Sequence, residues 1–134
     1  NLLISSQGVE NAVILTKNLK DIVKLLDAKV LYGQELLERN IEACCGSDMM
    51  SDVLAFCKCD TLLCTGLTNI QVVRTADMTE LSAIVFVRGK IPSDIIVAEA
   101  AEDNLPMLAT EHTLFEACGI LYQAGLKGCK RGEK

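Results

Sequence analysis

Cys57, Cys59 and Cys64 fall within eight positions, and Cys44 and Cys45 stand shortly before them. Clustered thiols are the usual material of zinc and iron–sulfur sites, where several sulfur ligands converge on one ion. The spacing here argues against both. Cys59 and Cys64 match the first gap of a plant-type iron–sulfur pattern, but Leu67 occupies the next ligand position. No C-x2-C pair occurs, and the single histidine, His112, is distant in sequence. Cys44 and Cys45 are adjacent in a strand-like run, so they alternate faces and cannot serve one ion. Cys57 falls on the apolar stripe of an expected helix and Cys64 ends an expected buried strand, places where cysteine acts as a small hydrophobe. The expectation is a protein without metal or cofactor, its seven cysteines mostly free in a reducing cytoplasm.

Catalytic patterns are equally sparse. The sequence has neither the G-x-x-x-x-G-K-[ST] phosphate loop nor the G-x-S-x-G nucleophile elbow. His112 stands at a helix entry, where a base for a nearby Cys or Ser would sit, but a lone loop histidine more often caps or is solvated. Asp48 and Asp52 share an i, i+4 spacing that suits Mg²⁺, yet solvated carboxylates explain the pair as well. No catalytic residue is assigned.

The residues better suit binding of an anion. Ser47, Thr65, Gly66, Thr68, Asn69, Arg88, Gly89, Lys90, Thr110 and His112 lie in four short stretches, each between an apolar run and a helical pattern. Hydroxyls, glycine N–H groups, an amide and two cations are what an anion needs. They also make ordinary helix caps and turns.

The elements that must position them alternate. Leu19, Ile22, Val23 and Leu26 repeat at i, i+3, i+4 and i+7 behind Asn18, which predicts a helix over 18–27. Strands are expected at 29–32, 41–45, 61–64, 83–87 and 107–109, with a short helical turn at 34–38. Helices are expected at 48–58, at 70–80 behind Asn69, at 93–103 with Pro92 before its first turn, and from Thr113, whose capping-box partner is Glu116, to a stop at Gly125. Strands separated by helices require right-handed crossovers and a sheet covered on both faces. The expected fold is therefore α/β, an open and mostly parallel sheet of about five strands between helices, and all four candidate stretches fall at its carboxyl edge, where ligands bind in such sheets. Residues 1–17 read as an extension or remnant with a short hairpin, residues 18–126 as the domain, and 127–134 as a flexible tail.

Composition narrows the partners. The net charge is −5 and, outside the terminal stretch, Lys and Arg are scattered, which disfavours nucleic acid. No run of apolar residues is long enough to span a bilayer, and no membrane partner is expected. Aromatic residues make up only 4% with no Trp, so the core must be aliphatic.

The segment from Asn18 to Leu126 resembles the DRTGG domain, a small α/β module found alone in bacteria and archaea or within phosphotransacetylases and CBS-containing pyrophosphatases. The likeness rests on Leu19 to Val30, Cys45 to Ala55, Leu63-Cys64-Thr65-Gly66 with Ile70-Gln71, Ile84 to Pro92, and Pro106 to Leu121. The resemblance implies a parallel-sheet fold, self-association as a dimer or larger oligomer, regulation by adenine nucleotides where CBS domains accompany the module, and no catalysis. The eponymous residues differ. Leu67-Thr68 follow Thr65-Gly66 where Asp-Arg would stand, and Val87-Arg88-Gly89 replace Thr-Gly-Gly, keeping the last glycine. The expected function is a non-catalytic regulatory and self-associating module with an anionic ligand, such as an adenine nucleotide, at 65–69 and 88–90. Two alternatives stand beside it: a protein-interaction subunit without ligand, and a cysteine-based metal or redox accessory protein.

Overall fold

The computed structural model describes residues 17–57 and 60–129. The hairpin expected in the first seventeen residues, Lys58, Cys59 and residues 130–134 lie outside that range.

Helix α1 (Leu19–Leu26) begins where its cap dictates: the Asp21 N–H donates to Asn18 Oδ1 at 2.9 Å, and the Asn18 N–H donates back to Asp21 Oδ2 at 3.3 Å. It buries Leu19, Ile22 and Leu26, one face at helical spacing. Helices α2 (Met50–Phe56), α3 (Ile70–Thr79), α4 (Asp94–Glu102) and α5 (Leu114–Gln123) follow. Asn69, Ser93 and Thr113 cap the last three, and α5 has the full capping box with Glu116. Helix α2 lacks a side-chain cap and starts two residues later than its pattern suggested, because Asp48 is engaged elsewhere.

Strands β2 (Lys29–Tyr32), β4 (Ala43–Gly46), β5 (Thr61–Thr65), β6 (Ala83–Phe86), β7 (Met107–Ala109) and β8 (Lys127–Gly128) form one sheet in the order β2-β7-β6-β5-β4-β8. A separate antiparallel pair joins β1 (Lys17–Asn18) to β3 (Asn40–Ile41). The fold is the expected α/β sandwich with a mostly parallel sheet, and its central strands β5 and β6 are buried along their whole length.

Three details differ from the sequence pattern. Strand β2 runs antiparallel to β7. It therefore ends at the amino edge, where β4 must begin, and the chain walks along that edge without a crossover helix. Gly33 (φ 101) packs on Pro106, Arg39 Nη1 donates to the Ser82 carbonyl at 3.0 Å, and the Glu42 N–H donates to the Asp60 carbonyl at 2.9 Å, marking the starts of β7, β6 and β5 in turn. This path also divides the run 41–45, so Ile41 pairs with Lys17 and only Ala43–Gly46 enters the main sheet. Lys127 and Gly128, expected in the tail, pair in parallel with Ala43 and Cys44. Buried Leu126 holds them there, covering what would be an open edge of β4.

Successive strands β4 to β7 each step the same way across the sheet, so their right-handed crossovers place α2, α3 and α4 on one face. The core of that face joins Val53, Val72, Val73, Ile96 and Ala100 to Leu63, Ile84, Phe86 and Met107. The opposite face carries α1 and α5, with Leu19, Ile22, Leu26, Ala117 and Leu121 packed on Leu62, Cys64, Val85 and Leu108.

Candidate functional site

The reversal of direction fixes a crevice. Strand β6 leads into α4 on one face and β7 into α5 on the other, so the topological switch lies between the carboxyl ends of β6 and β7. Ligands of open α/β sheets bind at such points. The loops there are 87–92 and 110–113, and they are laced together: the Arg88 N–H donates to the His112 carbonyl at 2.8 Å and the Gly89 N–H to the Thr110 carbonyl at 2.9 Å.

Val87 to Lys90 form a tight turn closed by the Lys90 N–H on the Val87 carbonyl at 3.2 Å. Both central residues have positive φ, 57° at Arg88 and 69° at Gly89, as in a type I′ turn. Glycine adopts this freely, but arginine does so at a cost. A β-carbon at Gly89 would also stand 2.8 Å from Glu111 Oε1, so the Glu111 carboxylate lies over the turn.

The neighbouring loop after β5 is organised by Asp48, which the sequence pattern assigns to the start of a helix. Asp48 Oδ1 accepts from the Gly66 N–H at 2.7 Å and from the Thr65 hydroxyl at 2.9 Å, while Thr65 Oγ1 accepts from the Leu67 N–H at 3.1 Å. Asp48 reaches this position because the Ser47 N–H donates to the Cys64 carbonyl at 3.1 Å, prolonging the β4–β5 pairing, and Ser47 Oγ turns the chain by accepting from the Met49 N–H at 3.0 Å. The Gly66 bond lowers the Asp48 carboxyl most; burial opposes it, and the Thr65 bond with the charges of Arg88 and Lys90 keeps the carboxyl below the usual aspartate range. Arg88 extends over Gly66, where a β-carbon would meet Nη2 at 2.6 Å.

Thr65, Gly66, Arg88 and Lys90 thus converge around Asp48, with Gly89 and Glu111 at the margin. The other candidates serve the framework. The buried Thr110 hydroxyl donates to the Leu26 carbonyl at 2.7 Å and accepts from the His112 N–H at 3.3 Å. His112 Nδ1 lies 3.6 Å from Glu116 Oε1. Asn69 Oδ1 accepts from the Gln71 N–H at 3.0 Å, capping α3, and Thr68 is half-buried in the loop before it. Asp48, which the sequence pairs with Asp52 as a Mg²⁺ spacing or a solvated carboxylate, lies instead in this rim, and Glu111 carries no sequence signal because a loop carboxylate reads as ordinary surface. The clue for Asp48 was its place two residues beyond a strand-ending glycine.

The thiols separate by face. Cys44 Sγ lies 3.8 Å from Cys64 Sγ, and Cys118 hydrogen-bonds to Cys64, all on the α1/α5 side. Cys45, Cys57 and Cys129 meet on the opposite side, with Cys129 Sγ 3.7 Å from Thr61 Oγ1. Among the described residues, no group of three or more His, Cys, Asp and Glu side chains is arranged to hold a metal ion. No helix among them is long and apolar enough to cross a membrane.

No curated protein matches this chain. Its fold is similar to that in the crystal structure of the CBS and DRTGG domains of the regulatory region of Clostridium perfringens pyrophosphatase, complexed with the activator diadenosine tetraphosphate. The TM-score is 0.67 at 17% sequence identity, over 87% of this chain and 51% of that one. The chain therefore spans about half the length of that structure, and at this identity the likeness concerns the fold. The DRTGG domain matches residues 21–124, from the first helix to the end of the last, and the chain belongs to the DRTGG domain family.

Proposed function

We propose that this chain is a regulatory module that senses an anionic small molecule, of the nucleotide class, at the carboxyl edge of its sheet and performs no chemistry of its own. One observation carries the reading. Arg88 and Lys90 sit on a turn at the topological switch, and both charges act on a single carboxylate, Asp48, which already occupies the Gly66 N–H. An incoming phosphate would take the same two cations, with Asp48 acting as the internal anion it competes against. Membership of the DRTGG family supports a regulatory role, and the similar pyrophosphatase region, solved with diadenosine tetraphosphate, supports adenine nucleotides as the first ligands to try.

The test is a thermal-shift screen of reduced protein against AMP, ADP, ATP, diadenosine tetraphosphate and inorganic phosphate. A ligand at about one hundred times its Kd adds roughly 2.7 kcal/mol to stability, several degrees in a domain of this size. The shift should vanish in the Arg88→Ala/Lys90→Ala double variant. A shift that survives both substitutions moves the site elsewhere, and a flat screen leaves a protein-interaction subunit. That second reading has its own support in apolar side chains held in water, Phe115 at 87% exposure and Ile95 at 75%. Self-association belongs to both readings, and sedimentation velocity over a concentration series measures it.

A further inference from the structure

We propose that Cys118 is a redox modification site, in which a hydroperoxide oxidises its thiolate and Cys64 captures the product as a disulfide tying β5 to α5. The inference does not depend on what the rim binds. Three elements bring their thiols together: Cys44 from β4, Cys64 from β5 and Cys118 from α5. The Cys118 sulfur fills the space that a β-carbon on Gly46 would take, so the close approach of helix to sheet requires glycine there. Cys118 and Cys44 line a surface cavity of about 370 Å³ with Gly46, Phe115, Gly119 and Tyr122. Cys64 lies wholly buried beneath. A small oxidant reaches the upper thiol from solvent and finds a second thiol behind it, the arrangement of redox-sensing cysteines.

The electrostatics agree with that geometry. The Cys64 thiol hydrogen-bonds to Cys118, which lowers the Cys118 thiol to about 7 despite partial burial and pushes that of Cys64 up. The shared hydrogen bond thus favours the thiolate on Cys118 and the protonated thiol on Cys64. Cys44 is the poorer partner for Cys64. In the β4–β5 register Cys44 faces Leu62 and Cys64 faces Gly46. With strands about 4.8 Å apart and two residues covering roughly 6.6 Å along the strand, such diagonal neighbours lie about 8 Å apart at the backbone, beyond the ~6.8 Å that an unstrained disulfide tolerates. Cys45, in the other group, is likewise lowered by its bond with Cys57, against burial and the charges of Cys118 and Asp52.

The chemistry balances with one peroxide per disulfide. The Cys118 thiolate attacks an oxygen of hydrogen peroxide, an S–O bond forms, the O–O bond breaks, and the departing hydroxide takes up the proton the Cys118 thiol had lost, becoming water. Sulfur gives two electrons and peroxide receives them. The Cys64 sulfur then attacks the sulfenic sulfur, the S–S bond forms, the S–O bond breaks, and hydroxide leaves with the Cys64 proton as a second water.

The experiment treats the reduced full chain carrying Cys59→Ser with equimolar hydrogen peroxide at neutral pH, then alkylates free thiols and digests with trypsin. Cys64 falls in peptide 59–74, Cys118 in 91–127, and Cys44, Cys45 and Cys57 in 40–58. The expected result is loss of two alkylatable thiols and a cross-link between 59–74 and 91–127 that disappears on reduction. Cys118→Ser and Cys118→Ala should both abolish that cross-link, and Cys44→Ser should leave it. Full alkylation after peroxide overturns the proposal, as does a cross-link involving 40–58 in its place, or Cys118 stopping at sulfinic acid without a disulfide.

Discussion

Asp48 Oδ1 accepts the Gly66 N–H at 2.7 Å, across eighteen positions of sequence, and so joins the end of β4 to the loop after β5. The carboxylate thereby neutralises a backbone donor at the sheet edge and takes the field of Arg88 and Lys90. Asp48→Ala removes both of its hydrogen bonds at an exposed position and should cost about 1–2 kcal/mol in chemical denaturation. No loss of stability would mean that the loop holds its shape without this tie.

The same contact sets a pH dependence. The folded-state pKa of Asp48 is depressed, so its contribution to stability is complete above the unfolded aspartate pKa, about 3.9, and disappears as pH falls through the lower folded value. Carboxyl NMR titration should find Asp48 below the ordinary range, and closer to it in Arg88→Ala. An ordinary pKa in the parent would remove the basis for placing these cations around the carboxylate.

Gly66 has no steric freedom on the side of Arg88, but its own backbone is not in the left-handed region. A methyl group there displaces only the end of a flexible arginine. Gly66→Ala should change stability by less than about 0.5 kcal/mol, the usual range for a substitution that spares packing, while weakening any ligand that needs Arg88 in place. Equal binding by parent and variant would exclude that guanidinium pose from recognition.

Arg88 holds φ 57° in the turn. Arg88→Gly should therefore gain roughly 1 kcal/mol over Arg88→Ala, which keeps the strained backbone, and both should lose the ligand-induced thermal shift. Equal stability of the two variants would show that the turn relaxes when the side chain is lost.

Thr110 joins β7 to the end of α1 through its buried hydroxyl on the Leu26 carbonyl, 2.7 Å away. Thr110→Val keeps the shape but leaves that carbonyl and the His112 N–H without their partner, at a cost of about 1–3 kcal/mol. Thr110→Ser should recover most of it. Loss of ligand binding in Thr110→Ser, with stability retained, would instead mark Thr110 as part of the recognition surface.

Local rules account for what was legible in the sequence. Asn18, Asn69 and Thr113 cap their helices through bonds spanning two or three residues, and the apolar runs of β5 and β6 are buried on both faces because the helices between them demand it. Those patterns determined the α/β class, the mostly parallel sheet and the edge at which Thr65, Gly66, Arg88, Gly89 and Lys90 gather. Tertiary structure alone decided the rest: the antiparallel β2, the closing strand at Lys127–Gly128, Asp48 at the centre of the rim, and the sorting of thiols onto two faces. Each of these depends on which distant segments become neighbours, as Thr110 and Leu26 do across eighty-four positions. Periodicity reports which face a side chain takes, but not what packs on that face.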